Sequence, residues 1–189
     1  MQNKYLIFVL FIGILNCLSS CENSLKEVEA VTQQFEEAVE TVKDVQILYS
    51  ESAKVKVKLT APLLLRHKTK DPYSEFPEGI GVQFFDEMLQ ETGSLNANYG
   101  VRYKKKQQTI VRDNVVWVSA TEQKRIESEE LIWDERKKKI RSDKFVKVTT
   151  DTESIFGTGF EAEQDFSRYT ILNITGIVKV QANEFLNKK

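Results

Sequence analysis

Between Thr109 and Phe160 one short phrase occurs four times: an isoleucine, a small or polar residue two positions on, and a large apolar residue three further. It reads Ile110-Arg112-Val115, Ile126-Ser128-Leu131, Ile140-Ser142-Phe145 and Ile155-Gly157-Phe160, with the isoleucines 16, 14 and 15 residues apart. So short a period cannot hold a helical hairpin. It fits two short strands and their turns, and stacked β repeats bury one continuous apolar interior that no single repeat could bury alone.

Alternate side chains of a strand share a face. Within each phrase the isoleucine and the later apolar residue lie five apart, on opposite faces of a straight strand. A corner or bulge between them returns both to the inside. The polar middles Ser128-Glu129-Glu130, Ser142-Asp143-Lys144 and Gly157-Thr158-Gly159 suit such a corner. The expected architecture is all-β: two facing antiparallel sheets, a sandwich or jellyroll, with the chain passing between sheets at every repeat. At Gly157-Thr158-Gly159 the expectation is a corner with no room for side chains, not a phosphate loop.

The N-terminus reads as a processing signal. Lys4 precedes an uncharged apolar run from Tyr5 to Leu15, shorter than the ~20 residues a membrane-spanning helix needs. It ends in Leu18-Ser19-Ser20-Cys21, the pattern of a bacterial lipobox. Residues 1–20 are therefore expected to be a lipoprotein signal peptide and Cys21 the lipidated residue, tethering the chain to a membrane. Cys17 would leave with the signal, so no intramolecular disulfide is expected. Residues 21–43 read as a lipid-anchored helical linker. Val28, Val31, Phe35, Ala38, Val42 and Val45 form an apolar seam at alternating three and four spacing. The helix is expected from Ser24, its N-cap, to about Glu40, with Glu27 completing a capping box. It serves as a spacer or packs on a membrane partner; the end of the seam suits a strand as well.

Residues 44–189 are expected to form the β domain. Val45–Tyr49 and Lys54–Leu59 read as a hairpin around Ser50-Glu51-Ser52, ended by Pro62. His67 to Gly79, with its prolines and Gly79, reads as a long loop. Ile80–Phe85 is an expected strand and Glu91–Ser94 a turn. Ala97, Tyr99, Val101 and Tyr103 alternate as a strand, and Tyr169–Ile174 and Ile177–Val180 close the chain.

Little here suits catalysis. The single histidine, His67, has no serine or cysteine nucleophile at recognisable spacing. No Cys, His or carboxylate cluster is spaced for a metal. An enzyme is not expected, nor a cofactor. A net charge of −1 speaks against nucleic acid as a partner. The basic runs Arg102–Lys106 and Arg136–Lys139 are solvated strand ends or faces toward an anionic membrane or phosphorylated headgroups.

Ser128-Glu129-Glu130-Leu131-Ile132-Trp133-Asp134, Lys139-Ile140-Arg141-Ser142-Asp143-Lys144-Phe145-Val146 and Ile155-Phe156-Gly157-Thr158-Gly159-Phe160-Glu161 together resemble the LptC family of lipopolysaccharide export, in the lipoprotein form seen in Bacteroidetes-like bacteria. Tyr49-Ser50-Glu51-Ser52-Ala53-Lys54-Val55-Lys56-Val57 and Phe76-Pro77-Glu78-Gly79-Ile80 fit the same family, so the resemblance spans about residues 44 to 176. It implies a β-jellyroll, V-shaped in section, with an apolar groove between its sheets. It also implies a protein at the periplasmic face of the inner membrane. There it would receive lipopolysaccharide from an ABC transporter with LptF/LptG-like subunits and pass it to an LptA-like bridge protein. The lipobox stands where the better-known pattern has a transmembrane helix. The competing reading is a structural or lipid-carrying outer-membrane lipoprotein of similar fold.

On this resemblance Trp117, Leu131, Trp133, Ile140, Phe145 and Phe160 are candidates for contact with acyl chains. A protein that joins others by strand addition needs open edges. Ile47, Tyr49, Val55 and Val57 mark the expected N-terminal edge, toward the transporter. Ile171 and Ile174 mark the C-terminal one, toward the bridge protein.

Overall fold

The structure is a computed structural model, and it describes residues 38–179. The expected signal peptide, Cys21 and most of the expected helix lie outside the described residues. Among the described residues there is no helix. Eleven strands form one hydrogen-bonded antiparallel sheet: β1 (Ala38–Glu51), β2 (Lys54–Lys68), β3 (Tyr73–Phe76), β4 (Ile80–Phe85), β5 (Glu91–Ala97), β6 (Tyr99–Tyr103), β7 (Gln108–Ser119), β8 (Arg125–Asp134), β9 (Lys139–Thr149), β10 (Glu153–Glu163) and β11 (Tyr169–Lys179).

The sheet is folded on itself. β7 pairs with β6 through residues 108–112 and with β5 through residues 116–119. β2 likewise pairs with β4 through residues 57–60 and with β3 through residues 65–67. Two arms therefore share the long strands. Arm A holds β3, β6 and one half of each long strand; arm B holds β4, β5 and the other halves. The strands cross between arms along one line, which is the apex of a V. Backbone that must turn sharply there takes left-handed conformations: φ is +52° at Asp44, +97° at Gly79, +61° at Asp113, +55° at Asn114 and +84° at Gly159. Glycine, Asn and Asp are the residues that tolerate this region best.

The corners expected from the fourfold phrase sit on this line. Pairing slips by one residue between Arg112 and Val115, between Ser128 and Ile132, and between Thr158 and Phe160. The recurring serines bind the corner backbone. The single Ser128 Oγ proton is shared between the carbonyls of Glu130 (3.1 Å) and Phe145 (3.0 Å), and Ser142 Oγ accepts from Lys144 N at 3.1 Å. At Gly157 a Cβ would collide with the Ile171 side chain and stand 2.5 Å from Asn173 O, so the corner has no room for one.

The phrase nevertheless splits into two kinds of corner. β8 and β10 turn in three residues, Ser128 to Leu131 and Gly157 to Phe160, which carries Ile126 with Leu131, and Ile155 with Phe160, to the inner face. β7 and β9 turn in four, Val111 to Val115 and Ser142 to Val146, and keep their parity. So Val111 and Val146 point inward, while Ile110 and Phe145 face out. The expectation that Phe145 lies inside is corrected: it is 49% exposed, while Val146 is fully buried.

Four further expectations give way. Ala38–Glu40 belong to β1, not to a helix, so the β domain begins before residue 44: they pair with Lys68, His67 and Arg66, and the ladder outweighs the helical seam. Pro62 does not end its strand. It lies between the stretch of β2 paired with β4 and the stretch paired with β3, where no N–H is needed on that side. The expected loop from His67 to Gly79 contains the end of β2 and all of β3. The turn near residue 91 falls earlier, at residues 86–90, where Asp86 Oδ1 accepts from Met88 N (2.8 Å) and Gln90 N (2.9 Å). The hairpin of β1 and β2 forms, but its turn is at Ser52 and Ala53, both at positive φ, and Ser50 and Glu51 belong to β1 rather than to the turn.

Candidate functional site: the cleft between the arms

The inner faces of the two arms enclose a cavity of about 1000 Å³. That is at the upper end of the roughly 300–1,000 Å³ typical of ligand pockets. Arm A contributes Leu64, Phe76, Val111, Leu131, Trp133 and Ile140; arm B contributes Leu59, Val82, Phe84, Leu95 and Trp117. These side chains point inward because directly opposed residues of paired strands share a face. Leu59 faces Val82, Val82 faces Leu95, and Leu95 faces Trp117. The indole N–H groups of Trp117 and Trp133 are buried in this wall without an acceptor.

Four of the six expected groove residues line the cavity: Trp117, Leu131, Trp133 and Ile140. Phe160 is on the inner face but wholly buried in the core, stacked with Tyr169 at 6.0 Å. Phe145 is on the opposite surface of the sheet, stacked with Phe156 at 6.2 Å. Phe84, Leu95 and Val82 belong to the wall and were not among the candidates. The alternation Ile80-Val82-Phe84 is the signal that could have found Val82 and Phe84; Leu95 follows only from its pairing with Val82.

The arms touch across the mouth in three places, one of them Lys124 Nζ over the Tyr169 ring at 5.5 Å. Tyr49 on β1 meets Trp133 on β8 edge-on at 6.2 Å, and Lys138 Nζ lies 2.7 Å from Glu51 Oε1. The hydrogen bond from Lys138 holds the Glu51 carboxyl below its usual range. Beside them Arg102 donates twice to Glu135, at 2.8 and 2.9 Å, which raises the guanidinium further still. The second crossing is Phe166, in the connection between β10 and β11. Its ring stacks on Trp117 at 4.5 Å and meets Phe84 edge-on at 5.8 Å. A phenylalanine at φ +57° costs roughly 1–3 kcal/mol and persists only where its surroundings fix it. Nothing in the pattern of Gln164-Asp165-Phe166-Ser167 marked this residue in advance.

β1 pairs only with β2 and β11 only with β10, so among the described strands these two are the edges. Ile47 and Tyr49 lie on the β1 edge, partly exposed and also lining the cavity. Val57 does not: it has Tyr49 of β1 on one side and Phe84 of β4 on the other, so it is interior to the sheet, which corrects its assignment to the edge, while Val55 pairs with Ser50 of β1, beyond the stretch that pairs with β4. Ile174 on β11 is exposed, whereas Ile171 packs against the core.

His67 is in β2 rather than a loop. Its Nε2 lies 3.0 Å from Glu75, which also accepts from the Tyr99 hydroxyl at 2.7 Å. Burial and the Glu75 hydrogen bond push the Tyr99 hydroxyl up to about 12. This group is on the outer face of arm A, away from the cavity. Among the described residues no cluster of His, Cys, Asp or Glu could hold a metal.

A V-shaped β-jellyroll with an apolar cleft and a strand with one free edge at each end is the class that fold and site define. The family described as lipopolysaccharide-assembly, LptC-related, matches residues 5–178, and the chain belongs to the LptC family. Its role is accordingly in lipopolysaccharide transport, in the periplasm and associated with the inner membrane. No curated protein matches the chain.

Proposed function

We propose that the chain takes lipopolysaccharide from an inner-membrane ABC transporter with LptF/LptG-like subunits and passes it, acyl chains in the cleft, to an LptA-like bridge protein. The cavity between the arms carries this reading. A scaffold has no need of an apolar space of this size, and removing so much apolar wall from protein contact costs stability that a closed core would keep. The two unpartnered indole donors suit ester or hydroxyl oxygens of an acylated lipid. The free β1 edge, with Ile47 and Tyr49, suits strand addition to the transporter's periplasmic domain. The β11 edge, with Ile174, suits the bridge protein. Cys21, lipidated after cleavage of residues 1–20, would hold the domain at the membrane. Binding of this kind needs no chemistry from the protein, and the chain acts as a carrier, not an enzyme.

Tagged chain isolated from gently solubilised membranes is expected to bring down ABC transporter subunits from the inner-membrane fraction. Recovery from the outer membrane without any transporter would support the scaffold reading instead.

A further inference from the structure

The connection between β10 and β11 leaves arm A at Glu163 and returns to it at Tyr169. Its polar contacts stay on that arm. Glu163 N donates to Arg168 O (3.0 Å), Gln164 N to Lys138 O (3.1 Å) and Phe166 N to Glu163 O (2.9 Å). What reaches arm B is the Phe166 ring, 1% exposed and lodged between Trp117 and Phe84. The loop thus spans the mouth of the V on a single apolar side chain, and its flanking residues line the cavity. A chain of methylenes lying along Trp117 would occupy the place of this ring and offer the wall the same apolar contact. The left-handed backbone at Phe166 is a conformation that the packing of the ring maintains. Once the ring leaves, the turn is held on the arm A side alone, by the bond from Phe166 N to Glu163 O.

We propose that Phe166 is a plug: the β10–β11 loop closes the mouth of the empty domain, and an incoming acyl chain displaces the ring from Trp117. The proposal rests on the reading that the cleft takes acyl chains. Closed and open loops are then two states, and lipid binds the open one. If the closed state is favoured about ten to one, apparent affinity is about tenfold below that of an unplugged cleft.

The chain has two tryptophans, so Trp133→Phe leaves Trp117 as the only indole. In that background the full chain is titrated with dibromostearate, whose bromines quench indole fluorescence on contact. The parent is expected to be quenched, and Phe166→Ala is expected to be quenched at about tenfold lower probe concentration. Quenching with unchanged or weaker affinity in Phe166→Ala overturns the plug and leaves the lipid cleft standing. Absence of quenching in both proteins overturns the two together. Truncating so buried a ring can unfold the domain, so a second measurement keeps it. With para-fluorophenylalanine at position 166, the fluorine signal is expected to become accessible to a soluble gadolinium chelate once dibromostearate saturates Trp117. A fluorine that stays shielded while Trp117 is quenched overturns the plug.

Discussion

Phe160→Ala is expected to cost about 3–5 kcal/mol of unfolding free energy, the range for truncating a fully buried aromatic ring. Phe145→Ala is expected to cost less than about 1.5 kcal/mol, the worth of its stack on Phe156. Both residues close a copy of the same phrase, and sequence alone makes them equivalent. The structure separates them by one residue of corner. β10 turns in three residues and delivers Phe160 to the inner face at zero exposure, whereas β9 turns in four and leaves Phe145 half exposed on the outer face. Urea midpoints for the two variants at unchanged slope measure the difference directly. Equal losses would contradict the two kinds of corner. Phe160 also stands apart from the cleft: unlike Leu131 and Trp117 it is not part of the cavity wall.

The second large effect is expected at the β11 edge. Ile174→Pro combined with Ile177→Glu should reduce recovery of the bridge protein by at least about tenfold, with folding stability changed by little more than about 1 kcal/mol. Proline removes a strand donor, and a charge on an edge strand blocks further pairing. The domain tolerates both because Ile174 and Ile177 are each more than half exposed and no residue of β11 is fully buried. Ile171 is a poorer place for the test: it packs on the core and fills the space beside Gly157, so a change there would disturb the fold as well as the edge. Unchanged capture of the bridge protein, measured by pull-down beside a melting curve, would remove the C-terminal edge from the proposed handover.

Much of this architecture was legible because the relevant physics is local. Strand parity, the pairing of β1 with β2 as a hairpin and the glycine corner at residues 157–159 depend on neighbours a few positions away. The errors have a common origin in contacts distant along the chain. Whether a corner takes three residues or four is decided by the partner strand's register, which no single strand records. Pro62 marks a strand end in isolation but sits unharmed where β4 gives way to β3. Ala38–Glu40 carry a helical seam, yet pairing with the end of β2 overrides it. Val57 looks like an edge residue until β4 is placed beside it. Phe166 was invisible because an aromatic ring in a polar turn has no periodicity to betray it; only the fold puts Trp117 beneath it.

The central claim is that acyl chains run along the inner face between the arms. A photo-crosslinking side chain placed singly at Leu131, Trp133 or Phe145 in growing cells tests it most directly. Leu131 and Trp133 line the cavity, whereas Phe145 lies on the opposite surface of the same sheet. The account predicts capture of lipopolysaccharide at Leu131 and Trp133 and none at Phe145. Capture at Phe145 alone, or at none of the three, would contradict it.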